Sequence, residues 1–319
     1  MKTVLVTGAA GFIGSHLCDY YLANGHFVIG IDNMLTGSGE NIFNLQFGQP
    51  NFQFIEADAR DIHRLKFENK PDLIFHMASP ASPKDYQAYP EETLLAGSIA
   101  TINVLRYAQK VKARVLLAST SEVYGSPQVH PQNETYWGHV NSYGPRCMYD
   151  EAKRFQEACA YVYQQKHGAD IRIARIFNTY GPRMKANDGR VIPQFIKQAL
   201  TNQPITIHGC GDQTRSFCYI DDLILGLVGL MNSNYKEPVN LGNPQEITIS
   251  KLVLEITALI PESGSAVTLT DRPGDDPENR CPDIFLAKNL LDWQPSVSLA
   301  VGLQRTIHFF KQQLNSVPA

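Results

Sequence analysis

A tyrosine and a lysine four residues apart are the first side chains whose spacing suggests chemistry. They are the first and last residues of the segment Tyr149-Asp-Glu-Ala-Lys153. In a helix, residues i and i+4 lie on the same face, so the phenol and the ammonium group would be neighbours. A cation at that distance favours the phenolate and lowers a tyrosine pKa from its usual ~10 towards neutrality. A phenolate can remove the hydroxyl proton of an alcohol while a hydride leaves the carbon that bears the hydroxyl.

A second group of polar side chains follows a strongly apolar segment. Ser119, Thr120, Ser121 and Glu122 come directly after residues 114–118, which read as a buried strand. In α/β proteins, ligands bind in the crevice at the carboxyl ends of parallel strands. A Tyr-x-x-x-Lys pair alone occurs by chance in many helices as a solvated pair. The hydroxyl and carboxylate groups at a strand end favour a shared cleft with proton-transfer chemistry.

Three glycines form a turn between the first predicted strand and the first predicted helix. The segment is Gly8-Ala-Ala-Gly11-Phe-Ile-Gly14, and Asp32 stands at the end of the second predicted strand. Glycine also serves tight turns for backbone reasons alone. Here the strand, the helix and the acid together match the dinucleotide fingerprint, in which the backbone approaches the pyrophosphate and the acid binds the ribose hydroxyls. Because a carboxylate at residue 32 would repel a 2′-phosphate, NAD is favoured over NADP.

Apolar strands alternate with helices through the first half of the chain. Strands are predicted at residues 3–7, 27–31, 52–56, 73–75, 114–118 and 171–176, and helices at 12–24, 91–110 and 149–167. This alternation predicts an α/β protein with a Rossmann-type doubly wound parallel sheet. Because loops lengthen after about residue 182, we predict an NAD-binding domain with the catalytic residues over 1–182. A smaller C-terminal substrate-binding α/β domain would cover 183–319, with allowance for a return crossing to the sheet near 216–220.

The composition limits the classes of protein to which the chain can belong. Of 319 residues, 43% are hydrophobic and 18% charged, which is ordinary for a globular protein. The net charge is −3, with 28 basic and 31 acidic residues, so no positive field attracts nucleic acid. No apolar run reaches the ~18 residues of a membrane span, and the first residues do not resemble a signal peptide. We expect a cytoplasmic protein without nucleic-acid or membrane partners.

The cysteines predict neither disulfides nor a metal site. None of the six belongs to a C-x-x-C pair or to a His/Cys cluster at metal-ligand spacing. Such cysteines are typical of reduced thiols in a cytosolic enzyme.

The glycine loop, the hydroxyl residues after the fifth strand and Tyr-x-x-x-Lys together resemble the extended short-chain dehydrogenase/reductase superfamily, the NAD-dependent epimerases and dehydratases of nucleotide sugars. Within it, the sequence is most similar to the UDP-glucuronate decarboxylases, or UDP-xylose synthases. The similar blocks are His76-Met-Ala-Ser-Pro-Ala-Ser-Pro83, Leu117-Ala-Ser-Thr-Ser-Glu-Val-Tyr-Gly125, Arg175-Ile-Phe-Asn-Thr-Tyr-Gly-Pro-Arg-Met184, Gln213-Thr-Arg-Ser-Phe217, Val239-Asn-Leu-Gly-Asn-Pro244 and Asp275-Asp-Pro-Glu-Asn-Arg-Cys-Pro-Asp-Ile284.

This resemblance implies a UDP-sugar substrate, bound NAD that is regenerated on the enzyme, and roles for individual residues. Thr120, Tyr149 and Lys153 would carry the hydride step. Helices 91–110 and 149–167 would pair in a homodimer. The predicted cofactor contacts are Gly8, Gly11, Phe12, Ile13, Gly14, Asp32, Asn33, Asp58, Ala78, Tyr149 and Lys153. The predicted substrate contacts are Asn178, Arg183, Arg215 and Arg280, although arginines at such positions also form ordinary ion pairs.

The pair Ser121-Glu122 bears on which sugar reaction follows. Once C4 of a hexuronate is oxidised, its C6 carboxylate is β to a ketone and can leave as carbon dioxide. Protonation at C5 and return of the hydride to C4 then give the pentose. In this superfamily, 4,6-dehydratases typically have Asp-Glu at these two positions, and 4-epimerases usually have a small residue at the second. Ser121 and Glu122 therefore favour decarboxylation of UDP-glucuronic acid to UDP-xylose.

The sequence leaves open both the role of Glu122 and the reaction itself. In the predicted reaction Glu122 acts either as a proton carrier or as an electrostatic push against the carboxylate. A nucleotide-sugar 4-epimerase or 4,6-dehydratase is the first alternative function. The second is a non-catalytic NAD-binding protein of the same fold, which the joint presence of Thr120, Tyr149 and Lys153 disfavours.

Overall fold

A seven-stranded sheet is the framework of the molecule. The computed structural model describes residues 1–271 and 279–316, so residues 275–278 of the last similar block lie outside the described residues. The strands are β1 (Thr3–Thr7), β2 (Phe27–Asp32), β3 (Phe52–Glu56), β4 (Leu73–His76), β5 (Arg114–Thr120), β6 (Ile171–Ile176), β7 (Thr179–Tyr180), β8 (Ile205–His208), β9 (Thr214–Ser216), β10 (Cys218–Tyr219), β11 (Pro238–Leu241), β12 (Glu246–Thr248), β13 (Val267–Thr270) and β14 (Asn279–Arg280). The large sheet has the order β11-β6-β5-β4-β1-β2-β3, with every pair parallel. This confirms the predicted Rossmann-type doubly wound sheet, whose strand order reverses between β1 and β4.

Helices connect these strands and cover the sheet. They are α1 (Phe12–Ala23), α2 (Glu40–Gly48), α3 (Pro83–Ala88), α4 (Pro90–Leu95), α5 (Thr101–Val111), α6 (Cys147–His167), α7 (Val191–Leu200), α8 (Ile220–Asn232), α9 (Ile249–Ala258), α10 (Phe285–Leu291) and α11 (Leu299–Ser316). The helix predicted at 91–110 consists of α4, a π-helical turn at Ala96–Ala100 and α5. In that turn a Cβ on Gly97 would lie 2.6 Å from the Ala152 carbonyl oxygen, so glycine permits the close approach of α6. No helix of the described ranges is long and apolar enough to cross a bilayer.

The side chains of β1 divide the core into two layers. Val4 and Val6 belong to one apolar cluster and Leu5 to the other, and all three are fully buried. Successive side chains of a strand point to opposite faces, so a strand covered on both faces is apolar throughout. Leu227 of α8 lies in the first cluster and Val104 of α5 in the second. Packing from both sides thus holds in place the strand ends that carry the polar residues.

Residues after β7 build the opposite wall of the cleft. They include the three-stranded sheet β12-β9-β14 and the two-stranded sheet β13-β8. The chain rejoins the large sheet at β11, which pairs with β6, and the return predicted near residues 216–220 stays a prediction. Near residues 216–220, β10 pairs with β7 and α8 begins at Ile220. Helix α8 crosses one face of the large sheet before β11 joins the edge of that sheet. A two-unit description, 1–182 and 183–319, stays a prediction and has to include this return.

Candidate active site

Two adjoining cavities lie at the carboxyl ends of the large sheet's strands. Their volumes are about 580 Å³ and about 90 Å³, and both are lined by Gly8 and Gly11. Predicted site residues that line the larger cavity are Gly8, Gly11, Phe12, Ile13, Gly14, Thr120, Ser121, Glu122, Tyr149, Lys153, Asn178, Arg183, Arg215 and Arg280. Those that line the smaller one are Gly8, Gly11, Asp32, Asn33, Asp58 and Ala78. The fold brings every predicted site residue to one of these walls, and the individual roles remain predictions.

The glycine loop leaves space for a ligand against its backbone. Gly8 has a φ of +73°, and a Cβ there would lie 2.9 Å from the backbone nitrogen of Ala78. A Cβ on Gly14 would overlap the Gly8 carbonyl oxygen. Gly11 caps α1 without any side-chain hydrogen bond to the helix. The N–H groups at the start of α1 thus face the cleft without side chains in front of them, which is what a pyrophosphate requires. These residues fit a dinucleotide.

Asp32 holds the glycine loop and also lines the smaller cavity. Its two carboxylate oxygens accept hydrogen bonds from the N–H groups of Ala10 (3.0 Å) and Met34 (2.9 Å). Burial raises the pKa of Asp32, and these two hydrogen bonds oppose the rise. In the same cavity the Asn33 amide donates a 3.0 Å hydrogen bond to Asp58. The cavity therefore offers polar groups for ribose hydroxyls, a role that the sequence predicted for Asp32. The sequence did not reveal that Asp32 also holds the glycine loop.

Replacing Asp32 with alanine should weaken NAD binding about 100-fold while leaving UDP binding unchanged, because hydrogen bonds to a charged group contribute about 1.5–3 kcal/mol each. Calorimetric titration with each ligand measures both affinities. The matched control is Asp61→Ala, which removes an exposed carboxylate 3.1 Å from Arg64 and should bind NAD like the unmodified protein. Unchanged NAD affinity in the Asp32 variant would mean that the ribose is bound elsewhere.

Tyr149 and Lys153 lie on α6 next to Thr120, the last residue of β5. Each of the three is at most 7% exposed. The Lys153 ammonium lies 5.8 Å from the centre of the Tyr149 ring and donates a 2.7 Å hydrogen bond to the carbonyl oxygen of Ala118. The i, i+4 spacing therefore places the phenol and the ammonium on the same side of α6, as predicted, and the tertiary fold adds the threonine hydroxyl.

The prediction that Lys153 lowers the Tyr149 pKa is wrong for this arrangement. Burial raises the pKa of Tyr149 to about 12, although a hydrogen bond with Thr120 opposes the rise. Burial likewise lowers the pKa of Lys153 to about 8, with the charge of Glu157 acting against it. At Tyr149, desolvation outweighs the hydrogen bond with Thr120 and the charge of Arg190. A further positive charge near the phenol is needed before it can act as a base at neutral pH.

Glu122 lies between two arginines. Its Oε2 is 2.7 Å from a guanidinium nitrogen of Arg146 and 3.1 Å from one of Arg280. Arg280 also donates a 3.0 Å hydrogen bond to Ser121. Burial acts to raise the pKa of Glu122, but the two guanidinium charges prevail and hold it below its ordinary value. An ionised Glu122 favours the electrostatic role over that of a proton carrier.

Several side chains of the site were missed by sequence reasoning. The Tyr86 ring stacks on Tyr149 with ring centres 5.1 Å apart, and the Arg146 guanidinium carbon lies 5.9 Å from the centre of the Tyr86 ring. Arg190 also lines the larger cavity, and its charge lowers the Tyr149 pKa against the effect of burial. Arg146 lies one turn before Tyr149 at the start of α6, so its position was a usable indication. Tyr86 and Arg190 are distant in sequence, and no local pattern marks them.

Asp150, the neighbour of Tyr149 in sequence, is a buried carboxyl group without full compensation. It is 6% exposed and its Oδ1 has no hydrogen-bond partner. Burial and then the charge of Glu122 raise its pKa to about 7. Since the unfolded value is ~3.9, the folded state prefers the protonated form. Asp150 therefore contributes stability that is present below about pH 4 and is lost as the pH rises through about 7.

Asp150→Asn stays neutral and should be more stable than the unmodified protein near pH 8, by on the order of 2 kcal/mol, with little difference near pH 4. Urea unfolding at several pH values measures the difference. Asp61→Asn, which changes an exposed carboxylate 3.1 Å from Arg64, is the control and should leave stability unchanged. The same pH dependence in Asp150→Asn and in the unmodified protein would contradict the assignment.

The four predicted substrate residues all line the larger cavity. Asn178 follows β6, while Arg215 of β9 and Arg280 of β14 are register partners in adjacent parallel strands. Arg183 has a φ of +70° and contacts Asp19 at 2.6 Å, and one of its guanidinium nitrogens is buried without a partner. Arg183 and Arg280 therefore form ion pairs and line the cavity at the same time. The sequence had left open which of the two they would do.

The Rossmann-type sheet, the glycine cradle and the buried Thr-Tyr-Lys group define a nicotinamide-dependent enzyme whose arginine-rich cleft suits an anionic substrate. Residues 4–242 match the model of the NAD dependent epimerase/dehydratase family, and the chain belongs to that family. This confirms the predicted superfamily and NAD as its cofactor.

Two groups of similar proteins support the assignment. UDP-glucuronic acid decarboxylase 1 of Xenopus tropicalis is 50% identical over 98% of this chain and 73% of its own length. UDP-glucuronic acid decarboxylase 3 of Arabidopsis thaliana is 45% identical over 98% of this chain and 90% of its own. Among solved structures, the UDP-glucuronic acid 4-epimerase of Bacillus cereus, in complex with UDP-glucuronic acid and NAD, has a TM-score of 0.84 at 29% identity, covering 98% of this chain and 99% of that one.

Proposed function

We propose that this protein decarboxylates UDP-glucuronic acid to UDP-xylose. The observation that carries the proposal is that Arg146 and Arg280 both contact Glu122 in the cavity that contains Tyr149. A uronate differs from a neutral hexose by a carboxylate, and arginine is the side chain best suited to bind one. The relatives named UDP-glucuronic acid decarboxylase, at 45–50% identity, support this substrate.

Tyr149 would take the proton of the C4 hydroxyl. Bound NAD supplies the hydride acceptor and the positive charge that favours the phenolate. Thr120 holds the phenol by a hydrogen bond, and Lys153 contributes positive charge from its place beside the ring. The buried setting of all three excludes water from the proton transfer.

Glu122 would act on the step that releases carbon dioxide. With C4 as a ketone, the electron pair of the C5–C6 bond moves into an enolate while the carboxylate leaves without its charge. In the absence of Glu122, the two arginine charges would stabilise the ionised carboxylate of the substrate and so oppose its loss. The Glu122 charge offsets that stabilisation, since it lies within 3.1 Å of both guanidinium groups. C5 then takes up a proton that comes from solvent, and Tyr149 returns its proton to the C4 oxygen when that carbon is reduced again.

A 4-epimerase acting on the same uronate is the second candidate, because a solved structure with that name is similar over nearly the whole chain. Both reactions begin with oxidation at C4 and differ only afterwards. A 4,6-dehydratase needs an acid that protonates a departing hydroxyl. Ser121, which accepts a hydrogen bond from Arg280, has no such acidity.

Incubation of the purified protein with UDP-glucuronic acid and NAD, followed by mass spectrometry of the nucleotide sugars, tests the proposal. The expected product is lighter by one carbon dioxide, with no net NADH. A product of unchanged mass that differs from UDP-glucuronic acid on chromatography would identify an epimerase. No change in the sugar would reject UDP-glucuronic acid as the substrate.

We further propose a homodimer formed by α4, the π-helical turn, α5 and α6. These adjoining helices carry exposed apolar side chains: Leu94 and Ile99 (46% each), Phe155 (45%), Tyr161 (65%) and Val162 (50%). Exposed apolar side chains on adjoining helices are typical of an interaction surface. Phe155→Glu should halve the mass measured by light scattering, whereas Val301→Glu, at a 41% exposed position on α11, should not. A mass unaffected by Phe155→Glu would argue against this interface.

We also propose a cytoplasmic location. All six cysteines are unpaired, and Cys18, Cys159, Cys218 and Cys281 are buried. Proteins with several reduced thiols are typical of a reducing compartment. Thiol titration of the denatured protein without reductant should give six thiols per chain, and a lower number would contradict this location.

A further inference from the structure

Three potential metal ligands from distant parts of the chain meet beside the predicted substrate arginines. His130 lies in the loop between β5 and α6, Glu246 is the first residue of β12, and Cys281 follows β14 directly. One ligand atom from each side chain lies within 4.8 Å of the other two. His130 Nε2 and Glu246 Oε2 are 2.9 Å apart.

The chemistry of the three groups selects a class of ion. Mg²⁺ and Ca²⁺ prefer oxygen ligands, whereas imidazole, thiolate and carboxylate together suit Zn²⁺ and its neighbours in the transition series. We propose that His130, Glu246 and Cys281 bind one zinc-class divalent ion, with water as the fourth ligand. Zinc–ligand bonds of about 2.0–2.3 Å bring tetrahedral ligand atoms to within about 4 Å of each other. Small side-chain rotations of His130 and Glu246 reach that spacing from the present one.

The surroundings of the cluster support ion binding. Cys281 is 4% exposed, while the side chains of His130 and Glu246 are 42% and 28% exposed, so an ion has a path from solvent. Thr214 donates a 2.7 Å hydrogen bond to the second carboxylate oxygen of Glu246, which orients the first towards the cluster. The backbone N–H of Cys281 donates to Gln132 at 2.9 Å and fixes the position of the thiol. Such outer contacts are typical of metal ligands.

The thiol has to lose its proton when the ion binds. The thiol also gives up a weak hydrogen bond to the carbonyl oxygen of Pro244 at 3.3 Å. Ion binding therefore releases the thiol proton to solvent, which is typical of thiolate ligands.

An ion at this position would join the strands that carry the substrate arginines. Glu246 belongs to β12, which pairs with β9 and Arg215, and Cys281 follows Arg280 of β14. Occupancy would fix the relative positions of these strands without contacting the reacting sugar carbon. We expect bound Zn²⁺ to change KM for the nucleotide sugar about tenfold or less and kcat little.

The direct test is titration of the chelator-treated full-length protein with Co²⁺, followed by competition with Zn²⁺. One equivalent of Co²⁺ should produce the near-ultraviolet band of a cobalt–thiolate bond, and Zn²⁺ should remove it. Cys281→Ser should abolish the band, and His130→Gln should weaken binding more than about 100-fold, beyond the 10–100-fold typical of losing an outer partner. Cys210→Ser, at an exposed cysteine, is the matched control and should keep full binding.

Other results would reject the site. Absence of a thiolate band, binding that survives both Cys281→Ser and His130→Gln, or a band lost in Cys210→Ser would each overturn the proposal. Thermal unfolding of each variant without metal verifies its fold. If Cys281→Ser fails to fold, the affinity of His130→Gln for Co²⁺ tests the proposal alone, because the His130 side chain is 42% exposed.

Discussion

Replacing Tyr149 with phenylalanine should lower kcat about 1,000-fold and leave the affinities for NAD and UDP-glucuronic acid within a few-fold of the original. A positioned general base contributes about 10²–10⁴-fold to a rate, and this variant removes only the hydroxyl that would accept the C4 proton. The ring remains stacked on Tyr86, so the cavity keeps its shape. Steady-state rates and calorimetric affinities measure the two effects separately.

Tyr86→Phe is the matched control for this experiment. The Tyr86 hydroxyl is buried without a hydrogen-bond partner, so its removal leaves no group unsatisfied and the stacked ring stays. This variant should retain kcat within about threefold, since it removes no hydrogen bond. Because burial places the Tyr149 pKa at about 12, kcat/KM of the unmodified enzyme should rise towards alkaline pH. Near-normal turnover in Tyr149→Phe would exclude Tyr149 as the base.

Glu122→Gln should reduce product formation about 100-fold while oxidation of C4 continues, an effect typical of losing one electrostatic contact in an active site. The variant keeps the shape of the side chain but leaves Arg146 and Arg280 without their shared countercharge. Those arginines then stabilise the ionised substrate carboxylate, which has to lose its charge in the next step. Bound NADH should accumulate, and its absorbance in a single-turnover experiment reports this directly.

Glu151→Gln provides the comparison for Glu122→Gln. Glu151 also forms an ion pair on α6, with Arg154 at 3.7 Å, but its side chain is 38% exposed. Its replacement should change neither turnover nor NADH content. If Glu122→Gln slows C4 oxidation and product formation equally, with no accumulated NADH, then Glu122 acts before carbon dioxide is lost.

Local patterns were sufficient where a single element decides its own structure. β1 has the predicted bounds because a strand buried on both faces is apolar throughout, which a short sequence reveals. The seventh strand of the large sheet, β11, was not predicted, because it has only four residues and joins β6 from a distant part of the chain. The π-helical turn between α4 and α5 was not predicted, since it accompanies the close contact of Gly97 with α6.

Sequence alone determined the parallel sheet, the dinucleotide loop and the residue types that reach the cleft, because spacing along one strand or helix specifies these features. Only the tertiary structure decided the raised pKa of Tyr149 and the ionised state of Glu122 between its two arginines. It alone brought His130, Glu246 and Cys281 together. Burial and through-space charge set these properties, and both depend on residues far apart in the chain, which no local spacing records.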